Sequence, residues 1–132
     1  MLNLTKEKQR SLGSFYTPDS LADEMVSKFE SLEGNFVDFT AGDGSLLRAL
    51  NRAGVDWSRL YANELDKSSY ENLLELNPDL PKDHVLNMDA LDDECHKKML
   101  EITGGQYQVI LNPPFSLGNK IVRKILEFMP NE

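Results

Sequence analysis

One cysteine, Cys95, and two histidines, His84 and His96, are all that this sequence holds in thiol and imidazole chemistry. A lone cysteine closes no internal disulfide, and the three residues share no metal-ligand spacing. We therefore expect a protein of the reducing cytoplasm without a structural zinc. Basic charge is also scarce: 22 acidic residues stand against 14 lysines and arginines, a formal net charge of -8 at pH 7. A module that grips nucleic-acid phosphates unaided shows the opposite balance. No apolar run approaches the length of a membrane span, and residues 1–10 are polar rather than signal-like. Internal repeats, low-complexity tracts and linkers are lacking too. What remains is 132 residues, 40% of them apolar, enough for one core and one domain over residues 1–132.

Hydrophobic spacing divides the chain into alternating elements. Thr17 is placed to cap a helix and Pro18 to occupy its first position, where a missing N–H costs nothing. Leu21, Ala22, Met25, Val26, Phe29 and Leu32 recur at helical spacing, and Gly34 is placed to end the run, so residues 1–34 read as an amino-terminal helical segment. A β-prone run at 35–40 then enters Ala41-Gly42-Asp43-Gly44-Ser45, and Leu46, Leu47, Leu50 and Ala53 follow at helical spacing. Strand and helix repeat as 59–64 with 68–76, and as 84–89 with 92–102. A fourth strand at 107–111 runs into Asn112-Pro113-Pro114-Phe115, and a last amphipathic stretch at 121–128 stops at Pro130. Such alternation predicts an α/β fold: a parallel sheet of about four strands with helices on both faces, joined by right-handed crossovers.

Acidic charge concentrates in residues 61–100, where ten acidic side chains meet four lysines. Most of these read as a solvated face, with Glu64 and Asp89 set apart by their places at strand ends.

In open parallel sheets, ligands lie beyond the carboxyl ends of the strands, and a glycine turn after the first strand forms the floor. Gly42 and Gly44 fit that floor. A dinucleotide site would add a third glycine under the pyrophosphate, yet Leu47 stands there, with Asp38 and Asp43 nearby. Two carboxylates would repel a diphosphate and suit a cationic ligand. Glu64, twenty residues after Gly44, can accept both hydroxyls of a ribose. A positively charged nucleoside without phosphates meets these demands, and S-adenosyl-L-methionine is the common metabolite of that kind. Asp89, at the end of the third strand, falls where it can accept from the base amine, or else it leads the next helix as a cap. A Gly-x-Gly pair can also be a tight turn and nothing more.

Two prolines after the fourth strand stop it and stiffen the chain. Asn112 and the Pro113 carbonyl then offer two acceptors and Phe115 a flat apolar face, which together make a pocket for an amino group on a planar ring. Acceptors that take both N–H protons favour a pyramidal nitrogen, whose lone pair can attack a sulfonium methyl in line. No strong base is needed, in keeping with the lack of histidine or cysteine near the motif. The bland alternative is a Pro-Pro loop over a buried Phe.

The succession Gly13-Ser14-Phe15-Tyr16-Thr17-Pro18, Asp38-Phe39-Thr40-Ala41-Gly42-Asp43-Gly44, Asn63-Glu64-Leu65-Asp66, Asn87-Met88-Asp89-Ala90 and Val109-Ile110-Leu111-Asn112-Pro113-Pro114-Phe115 resembles the amino-terminal half of gamma-type DNA adenine-N6 methyltransferases, including type I modification subunits. The resemblance spans roughly residues 10–118. It implies a partial class I methyltransferase fold, Rossmann-like, with S-adenosyl-L-methionine as donor and a flipped adenine as acceptor. By motif, Phe15, Tyr16, Thr17 and Pro18 would close over the methionine end of the donor, which Asp38, Gly42 and Gly44 would line. Glu64 would hold the ribose and Asp89 the adenine amine, while Asn112, Pro113, Pro114 and Phe115 would form the catalytic pocket. Phe39 stands where the family frequently has proline.

Members of that family continue with further strands and a target-recognition domain, both missing here. The implied strand order, 3-2-1-4, leaves 107–111 as a long apolar edge, a pairing site. A piece of a longer enzyme, a split subunit completed by a partner chain, and a dimer through that edge all remain open, with DNA contacts coming from partner-supplied regions. The isolated chain is expected to bind donor weakly and to transfer methyl groups negligibly. Two other classes stay in play: an idle donor-binding or acidic anti-restriction module, and a methyltransferase acting on RNA or protein glutamine.

Overall fold

The computed structural model describes residues 17–113 and 115–129, with residues 115 and 116 by backbone alone. Four strands, β1 (Phe36–Asp38), β2 (Leu60–Asn63), β3 (Val85–Leu86) and β4 (Gln108–Val109), form one sheet. Its order is β3-β2-β1-β4, every pair parallel, with Val37 opposite Tyr61 on one side and Val109 on the other. Five helices accompany it: α1 (Asp19–Ser27), α2 (Ser45–Arg52), α3 (Lys67–Leu76), α4 (Asp93–Thr103) and α5 (Phe115–Phe128).

The central strands are buried throughout, as a strand covered on both faces must be. Because successive side chains of a strand point to opposite faces, Phe36 and Leu60 enter one core and Val37 and Tyr61 the other. The first core takes Ala22 and Val26 of α1, Leu47 and Leu50 of α2 and Leu73 of α3. The second takes Met99 of α4 and Ile121 and Ile125 of α5, together with Phe39 from the end of β1. Helices on both faces and the expected strand order are therefore present.

Several boundaries differ from the sequence expectation. Pro18, not Thr17, is the N-cap of α1, and it supplies no side-chain hydrogen bond. The helix stops at Ser27, where the last turn tightens through Lys28 N–H to Met25 O and Phe29 N–H to Val26 O, each 3.2 Å. Phe29 and Leu32 still pack on the core, so their spacing reports burial rather than helix. The Arg59 guanidinium donates to the carbonyls of Leu32 and Gly34, both at 2.8 Å, and fixes the return loop. Helix α5 begins at Phe115, ahead of the expected 121, because the polar stretch Gly118-Asn119-Lys120 masks its first turns in the sequence. The ladder of β4 is only two residues long, so the expected long edge is short. Its groove face is lined by Met25, Lys28, Phe29, Val109, Ile110 and Leu111, around a volume of about 330 Å3.

Candidate functional site

At the carboxyl end of β1, Asp38 is 1% exposed; its Oδ1 accepts from Thr40 N–H at 2.9 Å, and its Oδ2 has no partner among the described residues. Burial pushes this carboxyl up to about 7, against the pull of the Thr40 amide and with a further push from Glu64. The chain then turns through Gly42 at φ +58° and Gly44 at φ +89°. A Cβ on Gly44 would stand 2.6 Å from Asn77 Nδ2 and 2.9 Å from Leu73 Cδ1, so both conformation and space require glycine.

Glu64, at the end of β2, is 6% exposed. Its Oε1 accepts from Gly42 N–H at 2.8 Å and its Oε2 from Asp66 N–H at 3.0 Å, which ties the second strand to the glycine turn. Burial raises its carboxyl, and these amide donors lower it in part. The expected pairing of carboxylates at the turn is corrected in one respect. Asp43 is engaged by α2, where its Oδ1 accepts from Ser45 N–H at 3.0 Å and its Oδ2 meets Arg48 Nη2 at 3.3 Å. The acidic groups left at the turn are therefore Asp38 and Glu64.

Asp89 lies half-buried in the turn after β3, where its Oδ1 accepts from Leu91 N–H at 2.9 Å. The N-cap of α4 is Asp92, so Asp89 does not lead that helix. Its neighbour Met88 is bonded to Asn63: Met88 N–H donates to Asn63 Oδ1 at 3.1 Å, and Asn63 Nδ2 donates to Met88 O at 2.9 Å. Asn63 Nδ2 also reaches Phe39 O at 3.3 Å. One fully buried amide thus joins the ends of β1, β2 and β3. Asn87 adds bonds to the carbonyls of Glu64 and Leu65.

Beyond β4 the chain carries Asn112 back toward this rim. Asn112 Nδ2 donates to Thr17 Oγ1 at 3.3 Å, and the Thr17 carbonyl accepts from Ser45 Oγ at 2.7 Å. Ser45 is the first residue of α2, immediately after Gly44. The Asn112 turn and the glycine turn, distant in sequence, are therefore joined through a single residue. Thr17 is buried, Pro18 and Asn112 are exposed and Pro113 is half-buried. Phe15, Tyr16 and Pro114 lie outside the described residues, as does the Phe115 side chain at the start of α5.

Sequence reasoning does not single out the joining role of Asn63 or of Thr17, nor the clamp in which Arg48 bonds Asp43 and Asn77. A signal for Asn63 exists: an amide closing the apolar strand Leu60-Tyr61-Ala62 has to find buried partners. Neither histidine supplies a base here. His96 is fully buried between the rings of Phe39 and Phe128, at 4.6 and 5.3 Å, and burial lowers its pKa; His84 is stacked on Tyr61 and bonded through Nδ1 to the Leu60 carbonyl, at the opposite end of β2. The thiol of Cys95 is buried and pushed up to about 12. Among the described residues no cluster of three or more acidic, His or Cys side chains could hold a metal, and no helix is long and apolar enough to cross a membrane.

The sequence model of the N-6 DNA methylase family matches residues 1–128. Among solved structures, the type I restriction-modification system methyltransferase subunit from Streptococcus thermophilus is similar, with a TM-score of 0.58 and 24% sequence identity. The match covers 79% of this chain and 24% of that one, so this chain spans about a quarter of that subunit's length. At this identity the likeness speaks for the fold. No curated protein matches the sequence.

Proposed function

From the premise that this chain belongs to the N-6 DNA methylase family, we propose that it carries the donor site and the catalytic turn of an enzyme that methylates the exocyclic N6 amine of a flipped adenine in DNA, with S-adenosyl-L-methionine as donor. The observation that carries this reading is the short path from Asn112 through Thr17 to Ser45, which sets an amine-accepting turn beside a glycine turn.

The residues present fit a cationic nucleoside. Asp38 holds a buried oxygen with no partner among the described residues, and a carboxyl that burial has pushed up is one that a positive group would return to its ionised form. Gly42 and Gly44 leave the turn without side chains at the floor, and Glu64 offers two acceptor oxygens for a diol. Thr17 and Pro18, with Phe15 and Tyr16, are assigned to the methionine end, and Asp89 to the base amine. The donor, when bound, supplies a methyl group on a sulfonium, which leaves a neutral thioether.

The protein's own part is to orient the acceptor. Asn112 Oδ1 and the Pro113 carbonyl accept the two N–H protons of the adenine amine, which draws its lone pair out of the ring. Phe115 is assigned to stack on the base and Pro114 to stiffen the turn. The flipped base, once its nitrogen had taken the methyl group from the sulfonium, would release one N–H proton to solvent, which asks for no strong general base.

The acidic composition supports action as part of a larger assembly. The groove beside β4 takes a strand from the polypeptide that completes the sheet, and that polypeptide supplies the positive surface for DNA phosphates. On this reading the 132 residues have negligible turnover alone. A second copy on the same edge would instead appear as a dimer in sedimentation.

The test is Asn112→Ala in the completed enzyme, assayed on DNA, RNA and protein acceptors. Loss of methylation of DNA adenine, with donor binding retained in calorimetry, is the expected result. Unchanged transfer, or methylation of RNA or glutamine in its place, would refute the reading. No heat with the donor in the completed enzyme would leave only the acidic anti-restriction module.

A further inference from the structure

We propose that Thr17 is a positioning residue for the acceptor side of the site: its hydroxyl pins the amino end of the Asn112 carboxamide, so that the carbonyl end faces the substrate. The inference rests on the methyl-transfer reading above and adds a residue whose place in that reading was at the donor.

A carboxamide has two ends of nearly the same shape and opposite hydrogen-bonding sense. If Asn112 turned over, it would present N–H donors to an incoming amine, which needs acceptors. A hydroxyl can bond either end, so what Thr17 supplies is an anchor that holds the carboxamide in the orientation seen, and the two residues that follow Asn112 are prolines, which bring no side-chain partner. Asn112 Nδ2 finds an acceptor at Thr17 Oγ1, 3.3 Å away and 95 residues distant in sequence. That length is at the long end for an N–H···O hydrogen bond.

The acceptor is itself held. Thr17 is 8% exposed, and its carbonyl receives the Ser45 hydroxyl at 2.7 Å, with Ser45 only 3% exposed. Ser45 opens α2 directly after Gly44, so anything that moves the glycine turn moves Thr17, and Thr17 carries the Asn112 amide with it. Placing the acceptor within tenths of an ångström is worth more to the rate than to binding.

The test has two readouts. In the full chain labelled with 15N-asparagine, the side-chain amide of Asn112 should exchange with water faster, and its two proton shifts should converge, in Thr17→Val. Thr17→Ser, which keeps the hydroxyl, should restore the wild-type signal. In the completed enzyme at saturating donor, Thr17→Val should lower kcat by about 3- to 10-fold, the loss of one ordinary hydrogen bond, with the Ser variant near wild type. Should the Val variant fold poorly by circular dichroism, Ser45→Ala, which frees the Thr17 carbonyl, is expected to loosen the same amide. An unchanged Asn112 amide in Thr17→Val would overturn the proposal, as would a rise in donor KM with kcat unaltered. If Asn112→Ala abolishes transfer while Thr17→Val does not lower it, the positioning role fails alone; if Asn112→Ala has no effect, the functional reading fails first.

Discussion

Replacing Asp38 with asparagine tests how much the buried carboxyl of the glycine turn costs the fold. Its pKa is raised from 3.8 to about 7, with burial as the main cause. The folded protein therefore holds this proton more tightly than the unfolded chain does. Between pH 4 and 7 the unfolded state loses the proton while the folded state keeps it, so stability falls as pH rises, and above 7 the loss is complete. From pH 5 to 8 the decline amounts to about 3 kcal/mol at ~1.4 kcal/mol per unit, an upper figure for one group. The substituted amide carries no charge at any pH and should abolish this decline. Its carbonyl oxygen can still accept from Thr40, and its NH2 group would stand, like the protonated Oδ2 it replaces, without a partner among the described residues, a cost both proteins share below pH 7. Thermal unfolding of both proteins at pH 5, 6, 7 and 8 is the assay. The midpoint of Asp38→Asn relative to wild type should climb with pH by about 3 °C per kcal/mol. Parallel curves across that range would refute the reasoning, because they would mean that Asp38 titrates like an exposed carboxylate. The same linkage has a functional side: a cation bound at the turn should expel the proton, so its affinity in the completed enzyme should improve from about pH 6 to about pH 8.

Asn63→Ala should destabilise the chain by about 2–4 kcal/mol in urea unfolding, since it strands Met88 N–H and the carbonyls of Phe39 and Met88. A loss below about 0.5 kcal/mol would show that water replaces this amide. Gly44→Ala should cost about 2–3 kcal/mol, from the positive φ and from the contact with Asn77, whose amide is fixed by Asp43 O and Leu73 O; a neutral result in the same assay would contradict the close approach.

Much of the architecture is legible in the sequence because its cues are local. The apolar strand 36–38, the glycine turn after it and the amphipathic α2 each announce themselves, and their repetition forces a parallel sheet. The position of Asn112 just after the last strand is legible in the same way. Illegible are the features that depend on where the chain goes afterwards. Phe29 and Leu32 keep a helical period although α1 has ended, since burial beneath a loop leaves the same imprint on a sequence as burial on a helix. Asp43 reads as free because its partner, Arg48, meets it only once α2 has formed. The short β4 ladder reflects how soon the chain departs toward Asn112, which β-propensity does not encode.

The double grip on Glu64 fixes the aim of its remaining lone pairs in advance. Both carboxylate oxygens already hold amide protons, from Gly42 and Asp66. Each oxygen keeps a further lone-pair site, so a hydroxyl donor can be added there without evicting either amide, and the order of this side chain is settled when the chain folds rather than when a ligand arrives.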